Sequence, residues 1–188
     1  VAQLFEATSC TYTYIIGCTA TRKAVIIDVL ETVERDAKIF PSMLSCLSDE
    51  SGAKADRFLR HGEKLTVGRL EMECRHTPGH THGCSSYILN SEGIIFTGDA
   101  LLFRGCGRTD FQQGKKDRVN RQSRSQAILV DCHMSSSVGE EKKQCIIHDN
   151  VRLTLEKENF IELMSNLNLA YPKQIDRALP ANLKNGEQ

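Results

Sequence analysis

The sequence predicts an α/β fold in one domain spanning residues 1–188. Two observations predict the fold class and a third sets its size. Short runs of β-branched, aromatic and apolar residues recur along the chain, as strands require. Two other stretches place apolar residues at helical spacing. A length of 188 residues is enough for one real core.

The elements follow in order. Thr11-Tyr12-Thr13-Tyr14-Ile15-Ile16 reads as a strand. Ala24-Val25-Ile26-Ile27-Asp28 reads as a buried strand ending in a carboxylate, and 17–23 between them is a polar turn. Asp28 is expected to cap the next segment. Glu31–Phe40 predicts a short helix with Val33, Ala37 and Phe40 on one face. Leu65–Arg75 alternates around Gly68 and predicts a strand pair. Cys84–Leu89 and Ile94–Thr97 predict a hairpin, closed by Asn90-Ser91-Glu92-Gly93 with Gly93 free to take a positive φ. Near the end, Thr154 is expected to cap a helix carrying Phe160, Leu163, Met164 and Leu167, with Tyr171-Pro172 ending it.

Composition excludes several classes. Basic and acidic residues balance at 24 each, so no net field steers the chain to nucleic acid or to a membrane surface. No apolar run is long enough for a transmembrane helix. Lys115–Ser125 is basic, but it lacks interleaved aromatics and is expected to be a solvated loop. The eight cysteines form no CxxC and are expected to be reduced thiols in an intracellular compartment. Val1 in place of Met, with no targeting presequence, is expected of a chain whose leader is removed or trimmed.

Chemistry concentrates between His76 and Gly114. If the hairpin closes near residues 91 and 92, Asp99 falls opposite Cys84 at its open end. His80 and His82 precede Cys84 at the same end, so two imidazoles and a carboxylate converge. Asp99 follows Gly98 directly after an apolar strand, at the strand's C-terminal rim. A lone histidine on a turn is ordinarily a surface polar residue; a converging set is a different matter. Neutral imidazole with carboxylate suits Zn, Fe or Mn, and two histidines plus one carboxylate is the facial arrangement that leaves positions open on iron. Beyond the rim, Gly105 and Gly107 let the backbone bend around Arg108, a rigid bidentate donor for an anion. The competing role for Arg108 is as a structural partner of Asp110.

Three stretches carry a resemblance. Thr77-Pro78-Gly79-His80-Thr81, Phe96-Thr97-Gly98-Asp99-Ala100-Leu101-Leu102 and Arg104-Gly105-Cys106-Gly107-Arg108-Thr109-Asp110-Phe111-Gln112 resemble the metallo-β-lactamase superfamily. More narrowly, they resemble its persulfide dioxygenase branch, the ethylmalonic-encephalopathy-type sulfur dioxygenases. The resemblance implies the four-layer αβ/βα sandwich of that fold, here shortened internally. It implies one Fe(II) per chain, with His80 and Asp99 as ligands and Arg108 holding the substrate. The implied substrate is glutathione persulfide, oxidised by O2 to sulfite and thiol in the mitochondrial matrix. It implies no nucleic-acid or membrane partner, and it leaves room for a homodimer.

The chain also departs from that family. The family's His-x-His-x-Asp-His loop, which supplies another ligand, has no counterpart between Phe40 and Ser51. Around 115–136 the similarity lapses again, and His133 in Ala127-Ile128-Leu129-Val130-Asp131-Cys132-His133 is the nearest match to a second family histidine. The family's late cysteine is Asn185 here. His82 and His133 are therefore the candidate replacement ligands. Two alternative functions follow on the same fold: a zinc thioester hydrolase of the glyoxalase II type, and a catalytically impaired relative lacking one ligand loop.

Overall fold

In a computed structural model of the chain, the described residues are 1–6, 11–27, 46–48, 57–102, 105–109, 128–131, 134–137, 155–171, 175–176 and 180. Strands β1 (Ala2–Glu6), β2 (Thr11–Cys18) and β3 (Lys23–Ile27) form an antiparallel sheet in that order. β2 is buried on both faces from Tyr12 to Ile16, as an inner-layer strand must be. The predicted polar turn is tighter than 17–23: it spans 19–22, and the Arg22 N–H donates to the Cys18 carbonyl at 2.9 Å. β4 (Cys46–Ser48) and β5 (Arg57–Leu59) make a short parallel pair.

The second large sheet holds the site. It runs β11-β10-β9-β8-β7-β6, with β6 at Lys64–Val67, β7 at Leu70–His76, β8 at Ser85–Leu89, β9 at Ile94–Phe96, β10 at Ile128–Asp131 and β11 at Met134–Ser137. β9 and β10 pair in parallel; the other pairs are antiparallel. The expected strand pair around Gly68 is β6–β7, and Gly68 takes φ 65°. Its alternation is real: Leu65, Val67, Met72 and Cys74 are buried. The expected hairpin is β8–β9, in the predicted register, with Gly93 at φ 65° in the turn.

The two large sheets meet face to face. Tyr14 of β2 packs on Phe96 of β9 with ring centroids 5.2 Å apart and the planes tilted by 59°. Ile16, Val25, Leu59, Met72 and Leu89 fill the core around this pair. A single helix among the described residues has eight or more residues, α1 (Lys157–Ser165), and it buries Phe160 and Met164.

The helix differs from expectation at both ends. Its N-cap is Glu156, with no side-chain cap bond, rather than Thr154, which lies outside the described residues. It stops at Ser165, well before Tyr171, because the Asn166 N–H closes onto the carbonyls of Glu162 and Leu163 and Asn168 turns left-handed at φ 45°. Leu167 thus follows the helix instead of extending its face. The expected helix at 31–40, Asp28, the basic loop 115–125, His133 and Asn185 all lie outside the described residues. Cys18, Cys74, Cys84 and Cys106 form no disulfide among the described residues.

Phe96 is 1% exposed and joins both sheets. Phe96→Ala is expected to destabilise the chain by about 3–5 kcal/mol in urea unfolding; a loss under about 1 kcal/mol would mean the sheets do not share this core.

Candidate metal centre

The site is built at one end of the β8–β9 hairpin. Tyr87 faces Phe96, Ile88 faces Ile95 and Leu89 faces Ile94. Beyond the last pair, β9 ends and Gly98–Ala100 forms a single 3-10 turn carrying Asp99. Gly98 sits at φ 49°, a conformation that side-chain-bearing residues resist. The Thr97 hydroxyl donates to the Leu101 carbonyl at 2.7 Å and ties the turn down. Before β8, residues 77–84 form a second compact loop. The Thr77 N–H donates to the Cys84 carbonyl at 2.7 Å, and the Thr81 N–H points at the Cys84 sulfur at 3.3 Å. That loop presents His80.

His80 and Asp99 meet as the hairpin register requires. His80 Nε2 lies 3.2 Å from Asp99 Oδ2. The imidazole is mostly enclosed at 19% side-chain exposure, while the carboxylate stands at 55%, so the pair opens to solvent on the Asp99 side. Nδ1 of His80 donates to the backbone carbonyl of Arg108 at 2.6 Å. This leaves Nε2 as the nitrogen that faces outward. Burial pulls the imidazole pKa down, but the hydrogen bond and charge of Asp99, with the Arg108 carbonyl, overcome it and hold the pKa above the ordinary value. The hydrogen bond from His80 holds the Asp99 carboxyl below the usual carboxylate range, against the opposing effect of partial desolvation.

The loop 105–109 locks against both residues. The Gly107 N–H donates to the Asp99 carbonyl at 2.7 Å. Gly107 was expected to serve a tight bend, yet its φ is not left-handed; its role is close approach. A Cβ there would sit 2.5 Å from the Asp99 carbonyl oxygen and 2.9 Å from Cγ of His80. The Arg108 guanidinium donates from Nη1 to the Ala170 carbonyl at 2.7 Å and from Nη2 to the Leu169 carbonyl at 3.2 Å. Asp110, its expected partner in the structural reading, lies outside the described residues.

The other histidines divide. His76 ends β7, and its Nε2 donates to the Leu59 carbonyl at 3.2 Å; its ring meets that of His61 edge-on at 5.8 Å. His82 is half-buried, and among the described residues no group of three His, Cys, Asp or Glu side chains comes together. The pair nevertheless fits a divalent metal in kind. It offers one imidazole nitrogen and one carboxylate oxygen 3.2 Å apart, with the second imidazole nitrogen engaged by a carbonyl.

Comparison with known proteins places this geometry. The family model of the metallo-β-lactamase superfamily matches residues 33–144. The mitochondrial persulfide dioxygenase ETHE1 of Mus musculus is 39% identical, covering 99% of this chain and 88% of the relative. The Homo sapiens protein of the same name is 38% identical over the same shares. The chain belongs to the persulfide dioxygenase family of the metallo-β-lactamase superfamily. The crystal structure of ETHE1 from Myxococcus xanthus superposes with a TM-score of 0.83 at 36% identity, covering 99% of each chain. A metallo-β-lactamase from Staphylococcus aureus superposes at 0.81 with 20% identity, covering all of this chain and 72% of the other, which shows the fold alone. The alignment to the mouse relative runs over 228 positions against 188 residues here, so that relative carries stretches with no counterpart in this chain. The fold expected from the three motifs is therefore the observed one.

Sequence reasoning did not find the group that engages Nδ1 of His80, nor the steric demand at Gly107. A backbone carbonyl leaves no mark on sequence, and a glycine chosen for close approach looks like one chosen for a turn. Gly107→Ala is expected to destabilise the chain by about 1–3 kcal/mol, as overpacking does, and to weaken divalent-metal binding. Urea unfolding with a parallel metal titration checks this; unchanged values in both would show that the loop gives way freely.

Proposed function

We propose that this chain is a persulfide dioxygenase using one Fe(II), acting as a single domain of residues 1–188. Family membership and the His80–Asp99 pair support the reading together, and the pair is the observation that carries it: a nitrogen and a carboxylate oxygen 3.2 Å apart at a strand rim open to solvent. His80 and Asp99 would hold the metal. His82 or His133 would supply the third donor in place of the loop that the sequence lacks.

When bound, iron supplies the open coordination positions at which O2 and a sulfur substrate are brought together. The residues of the chain do the rest. The Arg108 carbonyl keeps the Nδ1 proton in place, so that Nε2 stays available. Asp99 balances part of the added positive charge. The Arg108 guanidinium brings a positive charge that is felt at His80, beside which an anionic substrate is held. The substrate class is a persulfide, with glutathione persulfide the fit for a cationic anchor because its peptide part carries carboxylates. The overall change is persulfide, O2 and water to thiol, sulfite and two protons. The setting is the mitochondrial matrix, and the word mitochondrial in the names of the mammalian relatives supports its coarser part. No helix among the described residues is long and apolar enough to cross a membrane. A second reading, a catalytically impaired relative, draws on the ligand loop that has no counterpart between Phe40 and Ser51.

Elemental analysis of anaerobically purified protein, with O2 uptake on glutathione persulfide, tests the proposal. Iron near one per chain with uptake is the expected result. Zinc near two per chain with thioester cleavage would replace it with the hydrolase reading, and neither metal nor uptake in a folded chain would leave the impaired relative.

A further inference from the structure

The loop 105–109 touches the metal pair on one side and the C-terminal segment on the other. On the inner side, the Arg108 carbonyl accepts from His80 Nδ1 at 2.6 Å and the Gly107 N–H holds the Asp99 carbonyl at 2.7 Å. On the outer side, the Arg108 guanidinium spans the carbonyls of Leu169 and Ala170 at 3.2 and 2.7 Å, more than sixty residues away in sequence. Beside it, the Cys106 thiol lies 3.9 Å from the sulfur of Met164, which is 1% exposed on α1.

We propose that Arg108 is a positioning residue for His80: by gripping the 169–170 backbone, its side chain holds its own carbonyl against Nδ1 and so fixes the imidazole that faces the metal. The inference rests on the reading of His80 as a metal ligand, and it adds a route by which α1 and the segment after it reach the site. The physical argument is one of rigidity. A backbone carbonyl can orient an imidazole only if the carbonyl is itself fixed. The five residues of this loop are pinned by a two-carbonyl guanidinium fork, which a lysine, with its single ammonium head, does not reproduce. The left-handed Asn168 and the end of α1 at Ser165 deliver the two carbonyls to the fork. The anchoring role for substrate and this positioning role predict different outcomes when the side chain is changed.

The experiment uses the full chain, the parent beside Arg108→Ala and Arg108→Lys. The first readout is solvent exchange of the His80 Nδ1 proton in metal-free protein labelled with 15N-histidine. The second is Fe(II) affinity measured anaerobically, and the third is KM against kcat for the persulfide. Positioning predicts faster exchange of the Nδ1 proton and about 10- to 100-fold weaker Fe(II) binding in Arg108→Ala, the range set by loss of groups that orient a metal ligand. Arg108→Lys, which keeps the charge, should fall between the two, and it carries the same readouts if the alanine variant fails to fold. A rise in KM alone, with exchange and Fe(II) affinity at parent values, would overturn the proposal and leave a pure substrate anchor. No change in any readout would overturn it as well. If the parent binds no Fe(II), the reading of the site fails separately, and the Nδ1 exchange still decides the role of Arg108.

Discussion

Asp99 reaches His80 because Leu89 is paired with Ile94 and not with a neighbour. Strand side chains alternate faces, so a one-residue slip in β8–β9 would turn Phe96 away from the core it shares with Leu89 and carry Asp99 away from His80. The core enforces the register. Phe96 is buried under Tyr14 of the other sheet, and Leu89 is buried in the same cluster, with Ile94 and Tyr87 packed against it. The chemistry at the rim therefore rests on apolar packing several residues away. The four-residue turn Asn90–Gly93, with Gly93 left-handed, closes the hairpin in the one register that this packing accepts.

Electrostatics explains why the pair is incomplete by itself. A mostly enclosed imidazole prefers to be neutral, yet a carboxylate at 3.2 Å favours its charged form, and the carboxylate wins. Nδ1 is committed to a carbonyl, so Nε2 is the nitrogen that would be left to face a metal. Asp99 would balance part of the charge of a divalent metal held there. The same two contacts that raise the imidazole pKa in the metal-free chain thus present a nitrogen and an oxygen to a cation. Loop 105–109 adds no metal-facing donor of its own; it fixes where the two donors stand, through Gly107 against Asp99 and Arg108 against His80.

Much of this was legible from residues. The strands expected at 11–16, within 65–75, at 84–89 and at 94–97, the hairpin register and the convergence of His80 with Asp99 all followed from alternation and turn chemistry. Such features are local, and local rules reach them. The C-terminal helix was placed correctly and bounded wrongly, because its end is set by the backbone closure at Asn166 and not by the Tyr171-Pro172 signal. The fork from Arg108 to residues 169 and 170 was out of reach, since it joins groups far apart in sequence and its acceptors are main-chain oxygens. His82, close to His80 in sequence, joins no three-donor group among the described residues, which shows that proximity along a turn does not fix the direction of a side chain.

The central claim is that His80 and Asp99 hold one divalent iron between them. Equilibrium Fe(II) binding to the parent, His80→Ala and Asp99→Ala, with folding checked by circular dichroism, tests it most directly. The account predicts one site in the parent and a loss of more than about tenfold in affinity for each variant, since removing a ligand costs at least as much as removing a group that orients one. Equal Fe(II) binding by all three folded proteins would contradict it and place the metal elsewhere.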